Sequence, residues 1–271
     1  MATGSGRVIG HLYHRLPDVI PEDGEFQVFE STADTRSNWG PEIQHGSPPL
    51  ALLTKLIEEQ APAGMRIGRL TLDLLGAIPV VPLKARAWVS RPGSRIAMMT
   101  AELTPVDGTR PVGRVTAWLI ATSDTRDAAT DRHPPIVEGP ALAKSHAWEG
   151  APGYLETIDW RKQPDDGASA VGWLTPLVPL VDAEPTTALQ RLAMVVDSAN
   201  GLGAALDPQR FVFMNTDTVV HLHRLPEGSD FALRARGSIG PDGVGVTTAE
   251  LYDRRGYIGT SAQTLLVQRN P

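Results

Sequence analysis

The sequence runs through one pattern twice. "LTLDLLG" (Leu70 to Gly76), "MTAELTPVDG" (Met99 to Gly108) and "VTAWLIA" (Val115 to Ala121) are followed, in the same order, by "MNTDTVV" (Met214 to Val220), "TTAELYDRRG" (Thr247 to Gly256) and "TSAQTLLV" (Thr260 to Val267). The offset is roughly 145 to 150 residues, a weak internal repeat that divides the 271-residue chain into two related halves. Each half opens with a helical pattern and continues in strands. In "SPPLALLTKLIEEQ", Ser47 suits an N-cap and Pro48 the first turn, and Leu50, Leu53 and Ile57 recur on one side before "PAG" ends the pattern. The second helix is expected from about Pro185 to Leu206, with Leu189, Leu192, Ala193, Val196 and Asn200 along its stripe.

The strands alternate. "LKARAWVSR" puts Leu83, Ala85, Ala87 and Val89 on one face, "VVHLHR" behaves similarly, and "PVDGTRP" and "YDRRGY" break neighbouring strands as turns. A sheet curled around one helix explains why the second helix is mostly Ala, Leu, Val and Met, with Gly201 and Gly203 letting sheet backbone come close. A free sheet edge is a hazard, and two copies in one chain remove it by pairing edge to edge. The expected class is therefore α+β: two curved antiparallel sheets, each wrapped around a central helix and paired into one continuous sheet. The first unit spans 1–122 and the second 154–271. The segment 123–153, rich in Pro, Asp, Thr and Gly, reads as a linker.

Several function classes drop out. A net charge of −6 without a basic cluster argues against nucleic acid as a partner. No apolar run is long enough to span a bilayer and "MATGSGRVIG" is no secretory signal, so a cytoplasmic protein is expected. Zero cysteines exclude disulfides and thiolate chemistry. There is no "GxSxG" elbow, no GxGxxG after a strand and no phosphate-cradling glycine motif. His221 and His223 share a strand face but lack a third ligand, so no metal site is expected. Arg91, Arg95 and Arg224 read as solvated arginines or as contacts for phosphates.

One residue resists the pattern. Asp197, in "LAMVVDSANGLGAAL", falls about 80° from Leu189 on a helical wheel, at the margin of the apolar stripe. A carboxylate removed from water must be hydrogen-bonded or poised to take a proton. It either fixes the helix to a strand or serves as a general base for water. Gln263, central in an apolar strand, offers both donor and acceptor, and Asn215 invites the same two readings.

These residues carry a resemblance. "NTDTVVHLHRLPEG" and "GTSAQTLLVQR" in the second half, with "NWGPEIQHGSPPLALLTKL" and "GRLTLDLLGAIPVVPLKARAWVSRPGSRI" in the first, resemble the acyl-CoA thioesterase II group, built of two fused hotdog folds. The resemblance implies a tandem (double) hotdog and hydrolysis of acyl-CoA to free acid and coenzyme A. It needs no cofactor and no metal, and such chains often form homo-oligomers. Carried over by position, the water-holding residues are Asp197, Asn215 and Gln263. Asn215 stands where the family commonly has Thr or Ser, and Thr216 beside it is taken with His45 and Gly46 as substrate-binding. Backbone amides at the start of the first helix suit a developing oxyanion. Two alternatives stand beside hydrolysis: a noncatalytic acyl-CoA-binding protein, suggested by Asn215, and a 2-enoyl-CoA hydratase. Against the hydratase, no His follows Asp197 within the next few residues.

Overall fold

The structure, a computed structural model, describes residues 9–17, 26–143, 152–164, 167, 169–203 and 206–270. The first half contributes β1 (Tyr13–Arg15), β2 (Gln27–Ser31), a small hairpin of β3 (Arg36–Ser37) and β4 (Gly40–Gln44), and helix α1 (Ser47–Gln60). After the helix come β5 (Met65–Leu74), β6 (Pro82–Arg91), β7 (Ile96–Pro105) and β8 (Gly113–Ala121). The second half contributes β9 (Ile158–Lys162), β10 (Ala170–Pro176), helices α2 (Ala188–Val196) and α3 (Ala199–Gly203), β11 (Phe211–Asn215), β12 (Asp217–Leu222), β13 (Phe231–Ile239), β14 (Val244–Asp253) and β15 (Gly256–Arg269).

All but the small hairpin join one antiparallel sheet. The first half is ordered β2-β6-β7-β8-β5 and the second β12-β15-β14-β13-β10, which is the same order read from the opposite end. The halves meet where β5 pairs β12, and there Asp73 lies directly opposite Asp217. The aspartates of the repeated segments "LTLDLLG" and "MNTDTVV" are thus neighbours at the centre of the sheet, so the duplication seen in the sequence is also a two-fold relation in space. This is the double hotdog: each half's inner sheet face closes on its central helix, and pairing at β5–β12 consumes the edge each half would otherwise expose.

The helices lie inside because almost every side of them is apolar. In α1 every residue from Ser47 to Ile57 is buried, and α1 packs on β6, β7 and β8 as well as on α2. Lys55 is accommodated by reaching out to Glu59 (2.9 Å) and Glu184 (2.8 Å). The helix begins one residue earlier than its capping pattern implies: Gly46, not Ser47, is the N-cap.

The second central helix departs further from expectation. It is interrupted: α2 starts after Thr187, whose hydroxyl accepts from the Gln190 amide in a capping box, and it stops at Asp197. Ser198 leads into the short α3. Residues 197–203, "DSANGLG", are poor helix formers, and side-chain bonds from the sheet fix Asp197 in place of a continued helical ladder. Gly203 does admit close backbone approach, since a Cβ there would meet Arg236 N at 3.0 Å, whereas a Cβ at Gly201 would meet nothing within 4 Å.

Residues 123–143 contain only a short 3-10 turn, Arg126–Ala128, and lie against the second half. His133 stacks on Tyr257, Glu138 pairs with Arg161 and Arg254, and the Leu142 amide donates to the Lys162 carbonyl. Among the described residues, no helix is long and apolar enough to cross a membrane.

Candidate active site

Asp197 ends α2, so its carboxylate stands at the negative end of that helix's dipole, and it is only 4% exposed. Three donors offset this position. Oδ1 accepts from the Thr218 hydroxyl (2.5 Å), from Asn215 Nδ2 (2.7 Å) and from Gln263 Nε2 (3.1 Å). Gln263 Nε2 also donates to the Asp197 carbonyl (2.9 Å), satisfying a helix-end oxygen that α2 leaves unpaired. Thr218 Oγ1, having given its proton to Asp197, accepts from Gln263 and Asn215, each at 3.2 Å or less.

The other carboxylate oxygen faces the first half. A Cβ on Gly46 would stand 2.5 Å from Asp197 Oδ2 and 2.9 Å from its Cγ, so only glycine leaves room for the acid there. Gly46 has ordinary helical backbone (φ −68°, ψ −25°), which makes the requirement one of space alone. The positive N-terminal end of α1 is thereby brought against the carboxylate, which answers why the chain tolerates a charge at this depth.

His45 completes the wall. Its ring stacks on Tyr154 (centroids 3.9 Å apart, 15° between planes), and its Nδ1 lies 3.6 Å from Asp197 Oδ2. Nδ1 accepts from the Ser47 amide (3.1 Å), which places the ring proton on Nε2 and makes the Asp–His approach a contact rather than an ion pair. Burial pushes the imidazole pKa below its usual value, against the opposing pull of Asp197. Tyr154 is itself buried, donates to the Met194 carbonyl (2.7 Å) and accepts from the Ser198 hydroxyl (2.9 Å), so one phenol ties the first half's histidine to the second half's helix. Burial pushes that phenol well above its usual range.

The lowered His45 pKa has a thermodynamic sign. In the unfolded chain the imidazole takes a proton near pH 6.5, whereas in the fold it stays neutral to lower pH. The unfolded state therefore binds more protons in that window, and His45 contributes stability that is present above pH 6.5 and lost as pH falls. Urea unfolding at pH 7.5 and pH 5.5 should show a smaller acid loss in His45→Gln than in the parent.

Of the residues singled out from sequence, Asp197, Asn215, Gln263, His45 and Gly46 come together. Thr216 does not: it is exposed, and its hydroxyl turns to Asp217 Oδ1 (3.3 Å). Thr218 is the residue that sequence reasoning missed. On β11 the inward positions are odd (Phe213, Asn215), but on β12 they are even (Thr218, Val220, Leu222). The break at Thr216 shifts the pairing to β15 by one residue, from Asn215 opposite Leu265 to Val219 opposite Ala262. This parity change puts Asn215 and Thr218 on the same acid.

The start of α1 offers fewer amides than its position promised. Pro48 and Pro49 carry none and Ser47 N–H is used by His45, leaving the Gly46 N–H, which donates to no described residue. Gln263 Oε1, fully buried, likewise accepts from none. Arg224 is clamped by Asp253 through both terminal guanidinium nitrogens, and Arg91 donates to the Ile96 carbonyl. Beside the site, a narrow apolar seam runs between the central helices. It is lined by Leu50, Leu70, Leu189, Leu192, Ala193, Val196 and Val220 and is too tight for a water molecule.

The model of the acyl-CoA thioesterase C-terminal domain matches residues 130–267, and that of the N-terminal domain matches residues 35–120. Among solved structures, the chain is similar to a Novosphingobium aromaticivorans protein whose thioesterase assignment is itself provisional. They share 21% identity and a TM-score of 0.69, covering 93% of this chain and 98% of the other. A hot dog fold protein of unknown function from Alicyclobacillus acidocaldarius is 15% identical, with TM-score 0.69 and coverage of 93% and 96%. The acyl-CoA thioesterase II TesB2 of Mycobacterium marinum is 13% identical, with TM-score 0.61 and coverage of 90% and 92%. These likenesses establish the hotdog fold. No curated protein matches the sequence.

Proposed function

The chain belongs to the acyl-CoA thioesterase family, and from that premise we propose that it hydrolyses acyl-CoA thioesters with a water activated by Asp197. The observation that carries this reading is the carboxylate's asymmetry: three donors saturate Oδ1, while Oδ2 accepts no hydrogen bond from the described residues. An oxygen in that state can take a proton from water as the water attacks the thioester carbonyl. Gln263 Oε1 accepts the water's second hydrogen, and the Gly46 N–H at the positive end of α1 donates to the developing oxyanion. Thr218, Asn215 and Gln263 Nε2 fix the acid. The products are free acid and coenzyme A, and no covalent acyl-enzyme intermediate is required.

The acyl chain would follow the apolar seam between α1 and α2, and Leu50 must part from Leu189 and Leu192 to admit it. The direct test is release of free thiol from a panel of acyl-CoA chain lengths; absence of release from every member would refute hydrolysis. Thr218→Val keeps shape but removes the hydroxyl that holds Asp197. It is expected to lower kcat about 10- to 100-fold with little change in KM, and Thr218→Ser to restore most of it, read from steady-state kinetics.

One observation favours a second reading, hydration of a 2-enoyl-CoA: His45 lies beside Asp197 in space although the two are far apart in sequence. The engagement of Nδ1 by Ser47 leaves Nε2–H as its only proton. Loss of the enoyl absorbance of crotonyl-CoA would support that reading, and an unchanged absorbance would dismiss it.

A further inference from the structure

At one end of the large sheet, β1 is held along its outer edge by the segment that leads into α2. Tyr13 N–H donates to the Leu180 carbonyl (2.9 Å), Asp182 N–H donates to the Tyr13 carbonyl (3.0 Å), and Tyr13 and Val181 form a parallel bridge. Leu12, Tyr13 and Val181 are buried, and the Tyr13 hydroxyl donates to Gln44 Oε1 (2.6 Å). The residues flanking these anchors point outward, and they are His11, His14 and Asp182.

Their donor atoms converge. His11 Nδ1 lies 3.7 Å from Asp182 Oδ1, His14 Nδ1 lies 3.5 Å from Asp182 Oδ2, and all three ligand atoms stand within 4.8 Å of one another. This is the only group of three such residues among the described ones. The separations are too long for good hydrogen bonds. They suit ligands around a single ion instead: donors about 2.1 Å from a tetrahedral centre stand about 3.4 Å apart. The backbone ladder fixes the three positions before any ion arrives, and Glu30, directly opposite His14 on β2, adds negative charge nearby.

We propose that His11, His14 and Asp182 form a surface site for a borderline divalent cation, Zn²⁺ above all, with solvent completing its coordination. Two neutral imidazoles and one carboxylate are the donor set such an ion prefers over Mg²⁺ or Ca²⁺, which take oxygen. Bound there, the ion joins the first half's outermost strand to the approach of the second half's central helix. The site is independent of the acid cluster and of the thioesterase reading.

The test is titration of the full chain, free of affinity tag, with ZnCl₂ by calorimetry and with CoCl₂ by visible absorption. His14→Gln, Asp182→Asn and, as a surface control, His221→Gln are run beside the parent. The expected result is saturable binding of one ion per chain and a melting temperature that rises with ZnCl₂. Each ligand variant should weaken affinity about tenfold or more, and the control should match the parent. Magnesium should bind negligibly. Absence of saturable binding, or equal binding by the parent and both ligand variants, would overturn the site and leave two loose His–Asp contacts. If one ligand variant fails to fold by circular dichroism, the other decides.

Discussion

Asp197→Asn should fold like the parent and hydrolyse acyl-CoA about 10²- to 10⁴-fold more slowly, the loss expected when a general base is removed. The substitution separates charge from shape. An asparagine carbonyl oxygen can occupy the place of Oδ1 and keep the bonds from Thr218, Asn215 and Gln263. The amide nitrogen then falls where Oδ2 was, facing His45 Nδ1. Nothing is crowded, and stability should change little, but the atom meant to take water's proton now carries hydrogens of its own. Thiol release and thermal melting on the same samples check this. Unaltered turnover would remove Asp197 from the chemistry and leave it a helix fastener.

Gly46→Ala should do the reverse, damaging shape while leaving every charge in place. The added methyl would lie 2.5 Å from Asp197 Oδ2 and 2.9 Å from its Cγ, closer than real Cβ contacts come, and 3.0 Å from Oδ1. The start of α1 and the acid must separate. Overpacking of this kind costs about 1–3 kcal/mol, and displacing a catalytic group by about 1 Å costs about a hundredfold in rate. The double variant Gly46→Ala/Asp197→Ala tests the cause. Truncating the acid clears the atoms that the methyl strikes, so Gly46→Ala should cost almost no stability in that background, a coupling readable from urea midpoints. Additive losses would mean that Gly46 matters for another reason.

How far the sequence reached follows from which physics each feature obeys. The repeat, the two central helices and the edge-to-edge pairing were legible because they depend on apolar periodicity and on the hazard of open edges, both written in residue order. Asp197 and Gln263 were legible as anomalies, polar groups where burial disfavours them. Thr218 was not, since alternation counted from Asn215 assigns it to the wrong face and only the irregularity at Thr216 reverses the count. The helix break at Asp197 was hidden because local propensity in 197–203 was outweighed, on paper, by an apolar stripe that runs through it. Tyr154 gave no signal: its partners His45, Met194 and Ser198 are brought to it by tertiary structure alone.

The acid and its holders come from one repeat, and the glycine that makes room for it, with the neighbouring imidazole, comes from the other. In the mechanism proposed above, reactivity is therefore owned by the joint rather than by either copy. Covalent fusion guarantees equal dosage of two unlike parts, and it frees each copy to specialise, one supplying the reagent and the other its mould. Once that division of labour exists it is hard to reverse, because a copy that has become a mould no longer carries the acid needed to work alone.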